Sequence, residues 1–289
     1  MPVDVVTGSP IVATERARFR LGSGIEIAYR IDRSGTINVG ARPWLVFAHA
    51  LGCDLGQWEP QIAKFAPAFN ILRYDLRGHG ESSAPKSGYG FDLHAEDLRG
   101  MLDAIGITQA HFVGSSLGGV IGQFAALRFP LRIASLTLIG TTARATPEIK
   151  RQMLETSQQM REAAGAPTAL QAMLTLAFTN LFRTRSVEAV TAISRALRST
   201  PVDGYVGCAR ALAEVDLTAR LTSINCPVAV IAGAGDRHMP AILGEEIARA
   251  VPGARLRVLP NAANLMNVEQ ADAVNTVLAD FLIGLSRLP

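Results

Sequence analysis

The amino-acid sequence predicts an α/β protein: a mostly parallel sheet of about eight strands, helices on both faces and an inserted helical cap. Three observations predict it. Short apolar runs bounded by turn residues recur along the 289-residue chain. Helical patterns alternate with them. One segment, 141–214, is rich in Ala, Leu, Met, Gln and Arg and holds no convincing strand. A chain that is 48% hydrophobic and 18% charged suits one large core with such an insertion.

The elements follow in order. "RFRLGSG" and then "IEIAYRI" read as an initial hairpin. "WLVFAH" (44–49), "NILRYD" (70–75), "AHFVGS" (110–115), "SLTLIG" (135–140), "PVAVIAG" (227–233) and "ARLRVL" (254–259) read as buried strands. Helices are expected at 56–67, 92–105, 117–129, 241–251 and 268–284. Breaks at "AGAPT" (164–168) and "STPVDG" (199–204) divide the inserted segment. The boundaries are drawn as a core of 1–142 and 215–289 and a cap of 143–214.

Composition excludes several classes of function. Net charge is +3, too weak and dispersed for nucleic acid. The excess lies in 141–214, which carries nine Lys/Arg against six Asp/Glu, while the remainder carries 19 of each. No apolar run reaches the length of a membrane span, and the N-terminus lacks the basic-then-apolar pattern of a signal peptide. Three scattered cysteines, Cys53, Cys208 and Cys226, fit neither a disulfide framework nor a metal site. A cytoplasmic protein without nucleic-acid or membrane partners is expected. A homo-oligomer is left open.

The chemistry starts at "HFVGSSLGGVIGQFAALRF" (111–129). An apolar strand runs into Gly114-Ser115-Ser116-Leu117-Gly118, and a helix follows at once. This is G-x-S-x-G in the strand–turn–helix context that gives it meaning: the turn lifts Ser116 Oγ to a helix N-terminus, where N–H groups can hold an oxyanion. A serine hydroxyl needs a base to take its proton and an acid to orient that base, in the order Ser, acid, His. Asp236, in the Gly-rich loop after "PVAVIAG", is placed to be the acid.

The base should follow "ARLRVL", but "PNAANLMNVEQ" contains no histidine, and Asn264 stands at the expected place. An amide exchanges hydrogen bonds but takes no proton at accessible pH. In a well-studied serine protease, loss of the triad histidine costs roughly a million-fold in turnover. Of the five histidines, His49, His79, His94 and His111 read as structural. His238, two residues past Asp236, is the one to test as a displaced base.

These residues make the chain resemble the alpha/beta-hydrolase superfamily, and within it 3-oxoadipate enol-lactonases. "HALGCDLGQWEPQ" (49–61), "ILRYDLRGHGESSAP" (71–85), "GSSLGG" (114–119) and "NVEQADAV" (267–274) fall in the family's order. The return from the cap, "TPVDGYVGCARALAEVDL" (200–217), is similar too. The resemblance covers residues 18 to 284. It implies an alpha/beta-hydrolase fold, Ser116 as nucleophile, Asp236 as acid and a histidine at 264, where this chain reads Ala262-Ala263-Asn264.

The implied activity is hydrolysis of a small carboxylic ester or lactone, without metal or organic cofactor. The backbone N–H groups of Leu51 and Leu117 would hold the oxyanion, and Trp58, Arg144 and Phe178 would contact substrate, an arginine of the cap pairing with a substrate carboxylate. Asn264 is open to two explanations, a deliberate substitution of histidine or natural divergence; the enzymatic surroundings favour an inactivated hydrolase. A non-hydrolytic binding protein and a relative cleaving thioester or carbon–carbon bonds are the alternatives.

Overall fold

The computed structural model describes residues 11–22, 24–34, 42–162 and 167–285. The predicted runs form eight strands of one sheet: β1 (Ile11–Arg20), β2 (Glu26–Ser34), β3 (Trp44–Ala48), β4 (Asn70–Tyr74), β5 (Ala110–Ser115), β6 (Ile133–Ile139), β7 (Val228–Gly233) and β8 (Arg255–Leu259). Their spatial order is β1-β2-β4-β3-β5-β6-β7-β8. β2 runs antiparallel to β1 and to β4; β4 onward, every neighbouring pair is parallel.

Strand periodicity sends alternate side chains to opposite faces. Val46, Phe112 and Val230 therefore join one apolar cluster, and Leu45, Val113 and Ile231 the other. Helices cover both. α1 (Glu59–Phe65) gives Ile62 to the second cluster, while α2 (Phe91–Ile105) and α3 (Leu117–Arg128) give Leu98 and Val120 to the first. Buried on two sides, β3 and β7 are apolar throughout, and β6 is apolar but for Ser135 and Thr137, the near-continuous pattern of a covered parallel sheet.

Between β6 and β7 the described residues form five α-helices, α4 (Pro147–Glu162), α5 (Pro167–Ala177), α6 (Asn180–Arg185), α7 (Val187–Ser199) and α8 (Val202–Leu212), and a 3-10 turn at Thr218–Ser223. Met153, Leu174, Leu197 and Tyr205 from these helices join the first cluster, so the insertion shares its apolar interior with the sheet. The chain leaves and returns side by side: Ala145 N donates to Val215 O (2.7 Å) and Leu217 N to Ala143 O (2.8 Å). α9 (Ala241–Ala250), α10 (Met266–Glu269) and α11 (Ala271–Leu285) complete the chain order.

Three elements differ from expectation. β8, read from the sequence as buried, is the last strand of the sheet and is exposed from Arg255 to Val258. β1 begins at Ile11, seven residues before the predicted hairpin arm, because "IVATERARFR" is an edge strand whose charges hid it. The helix predicted at 268–284 is two helices, broken at Gln270, whose backbone leaves the helical region (φ −127°, ψ 53°).

Candidate active site

Ser116 sits between β5 and α3 with φ 50° and ψ −111°, a left-handed backbone unusual for a residue with a side chain. Its carbonyl accepts from Thr141 Oγ1 (2.6 Å), and its N–H donates to Ile139 O (2.9 Å). The glycines make the turn possible. A Cβ on Gly118 would meet the backbone of Ala48 and His49, and one on Gly114 the backbone of Gly118 and Gly119. Strand and helix thus approach as the G-x-S-x-G spacing predicts.

The loop after β3 faces this turn. Ala50 N donates to Gln57 Oε1 (2.8 Å) and Gly52 N to His79 Nε2 (3.0 Å). The Leu51 N–H between them, and that of Leu117, have no acceptor among the described residues. A buried amide network holds the loop: Gln57 Nε2 donates to Asn267 Oδ1 (3.0 Å), and Gln61 Nε2 to Asn267 O (2.9 Å) and Asn275 Oδ1 (3.1 Å). The two distant motifs "GQWEPQ" and "NVEQADAVN" are therefore one structure.

Asp236 is 5% exposed. Its Oδ1 accepts from the N–H groups of His238 and Met239, and its Oδ2 from Asn264 Nδ2, each at 2.8 Å. Burial pushes its carboxyl up to about 7; the three donors pull it down only in part, and Glu269 adds repulsion. The second hydrogen of Asn264 Nδ2 goes to Gly140 O (2.9 Å). Both partners are acceptors, so the NH₂ must face them and Oδ1 must point away. Asn264 can accept a hydrogen bond through Oδ1 but cannot remove a proton.

Ser116, Leu51 and Asn264 line one cavity with Ala50, Cys53, Gln152, Met153, Thr156, Met173, Ile193, Leu197, Tyr205 and His238. Asp236 stands behind Asn264, and Leu117 is the first residue of α3. Three predicted contacts do not reach the cavity lining. Trp58 is fully buried in the core, stacked on Phe47 (centroids 4.7 Å apart). Phe178 is 1% exposed and packs on Phe182. Arg144 makes a two-pronged pair with Glu246 (3.0 and 2.8 Å). In each case a neighbour in the fold occupies the side chain that the sequence offered to substrate.

The histidines divide as expected from their positions. His49 Nδ1 donates to Ala50 O, and its Nε2 accepts from Leu76 N. His79 accepts from Gly52 N and donates to Arg77 O. Burial lowers His49 to about 4; burial and then the neighbouring His49 lower His79 to about 3, so both are neutral scaffolding. His94 lies against Cys208 Sγ (3.5 Å) and His111 against Ser135 Oγ (2.8 Å). His238 is the one imidazole in the cavity lining among the described residues.

Sequence reasoning missed Gln152. It is on α4 among the buried positions Ile149, Met153 and Thr156, and its Oε1 meets His238 Nδ1 at 2.7 Å. The signal available was a polar residue one turn before Thr156 on the apolar face of an amphipathic helix.

Residues 43–271 match the family model of the alpha/beta hydrolase fold, and the chain belongs to that family. Its relatives narrow the neighbourhood. It is 35% identical over 240 residues, 83% of this chain and 88% of the relative, to 3-oxoadipate enol-lactonase 2 of Acinetobacter baylyi. A hydrolase from Pseudomonas aeruginosa PA01 superposes with a TM-score of 0.86 at 34% identity, covering 92% of this chain and 98% of that one. The enol-lactonase from Burkholderia xenovorans LB400 gives 0.85 at 33%, covering 92% and 100%. No helix among the described residues is long and apolar enough to cross a membrane.

Proposed function

We infer that this chain carries the machinery of a serine hydrolase for carboxylic esters or lactones, in a form that lacks its base. Ser116 Oγ attacks the carbonyl carbon, and the N–H groups of Leu51 and Leu117 receive the developing oxyanion. With a histidine at 264, the imidazole would take the serine proton, oriented by Asp236, and return it to the leaving oxygen. Water then releases the acyl group. With a lactone the leaving alcohol remains attached, so one ring-opened acid departs. The helices of 143–214 act as the cap that closes the acyl pocket.

The observation that carries this reading is the position of Asn264. Its amide makes the hydrogen bond to Asp236 that an imidazole Nδ1–H makes in a triad, beside a serine on a strained turn. The chain as it stands is therefore nearly inactive. A ligand-binding protein on the same frame is the second reading, favoured by how fully the Asn264 NH₂ is satisfied.

The test is covalent. The Asn264→His variant, treated with diethyl 4-nitrophenyl phosphate, should gain one diethylphosphoryl group per chain at Ser116 by intact-mass analysis. The Asn264→His/Ser116→Ala double variant should gain none. Equal labelling of both would overturn the assignment of Ser116.

A further inference from the structure

The cavity beside Ser116 combines an apolar wall with a set of neutral polar groups. Met153, Met173, Ile193 and Leu197 supply much of the wall. Among the described residues no Lys or Arg lines it. Of the residues outside the description, one is a Lys or Arg, Arg287, near the chain end.

The pair His238–Gln152 stands out against this wall. Gln152 Oε1 is an acceptor 2.7 Å from His238 Nδ1, so Nδ1 carries the hydrogen and Nε2 carries the lone pair. The main chain of His238 is anchored as well, its N–H donating to Asp236 Oδ1. Nε2 has no hydrogen-bond partner among the described residues, and it is not among the buried atoms left unpaired. The cavity thus presents a fixed, accessible hydrogen-bond acceptor.

We propose that this pocket selects uncharged esters or lactones whose acyl part bears an O–H or N–H group, with His238, held by Gln152, as the residue that reads that donor. The proposal rests on the hydrolase reading and names its substrate class. It replaces the expectation of a carboxylate paired with a cap arginine, since Arg144 is engaged by Glu246 and none of Arg183, Arg185, Arg195 and Arg198 is in the cavity lining.

Asp236, behind Asn264, reports the cost of an anion next to this cavity. Asp236 accepts three N–H bonds and is still pushed up to about 7 by burial. A substrate carboxylate would find fewer donors and no fixed cation. Burial lowers His238 to about 4, so near neutral pH its imidazole supplies an acceptor and no charge.

The experiment uses the chain as it stands, whose Asn264 spares the ligands from turnover. Ethyl 3-hydroxybutanoate, ethyl 3-methoxybutanoate and monoethyl succinate are titrated at pH 7.5 by ligand-observed NMR. The hydroxy ester should bind about three- to tenfold more tightly than its methyl ether, the worth of one neutral hydrogen bond. It should bind at least about tenfold more tightly than the succinate, whose carboxylate has no counter-charge. His238→Phe should abolish the preference for hydroxyl over methoxy, and Gln152→Leu, which frees the imidazole, should reduce it.

Three results would overturn the proposal: monoethyl succinate binding as tightly as the hydroxy ester, a hydroxyl preference unchanged in both variants, or no saturable binding of the hydroxy ester. Phosphorylation of Ser116 in the Asn264→His variant reports on the hydrolase reading alone. A variant that cannot be labelled while the hydroxyl preference persists would sink that reading and leave the pocket's selectivity intact.

Discussion

Asp236 without a cationic partner should make the chain's stability depend on pH in a way that Asn264→His removes. The carboxyl titrates near 7 when folded, against an ordinary 3.8. A raised carboxyl binds its proton more readily in the folded state, so its contribution to stability is greatest below the unfolded value. It is lost as pH rises through the folded value. The maximum slope for one site is about 1.4 kcal/mol per pH unit, and a shift of roughly three units gives a loss on the order of 4 kcal/mol between pH 4 and 7.

Buried His49 and His79 and half-buried His238 oppose this trend. His49, His79 and His238 titrate at about 4, 3 and 4, so each adds stability as pH rises toward 6.5. A raw profile would mix the two. The difference between the chain and Asn264→His cancels them. In the variant an imidazolium–carboxylate pair holds one proton between pH 4.5 and 6.5, and the unfolded imidazole holds nearly one up to about pH 5.5 and about one half at 6.5, so the local slope stays small. Urea unfolding at pH 4.5, 5.5 and 6.5 should show the chain losing about 2 kcal/mol relative to the variant across that span. A difference constant to within about 0.5 kcal/mol would refute the account of Asp236.

Gly118→Ala should be among the most damaging single changes, costing more than about 3 kcal/mol or abolishing soluble expression, because its Cβ would run into the backbone of Ala48 and His49. Thermal unfolding of purified protein checks it. Gln57→Ala strands Ala50 N–H and the Asn267 side chain in the buried network and should cost about 2–3 kcal/mol. In the Asn264→His background it should also lower kcat more than it raises KM, since Ala50 precedes the Leu51 N–H. Arg144→Ala should cost less than about 1 kcal/mol, because the Arg144–Glu246 pair is partly exposed, and should leave ester binding unchanged.

Much of the fold was legible because parallel strands buried on both sides are apolar almost throughout. "AHFVGS" is β5 residue for residue, and "PVAVIAG" misses β7 by one position. The serine turn was legible for a local reason: the constraint on Gly114 and Gly118 is steric and acts within one strand–helix joint. Asn264 could be read in register because "NVEQ" forms part of the amide network that fixes the loop, through Asn267, and Glu269 accepts from Ala263 N (2.8 Å).

What escaped depended on which neighbour a side chain meets. Trp58 and Phe178 have the residue types of a substrate wall, but Phe47 and Phe182 cover them. Arg144 meets Glu246 across 102 residues of chain, and Gln152 meets His238 across 86. No local pattern encodes such encounters. The break at Gln270 has no Pro or Gly to announce it; the helix predicted through it was apolar on the correct face on either side.

The central claim, that Ser116 is competent and only its proton acceptor is missing, is tested most directly by one pair of rates. Turnover of 4-nitrophenyl acetate at pH 7.5 is measured for the chain and for Asn264→His. A rise of at least about a thousand-fold is predicted, within the range that a triad histidine is worth. A rise below about tenfold, or rapid turnover by the unaltered chain, would contradict it.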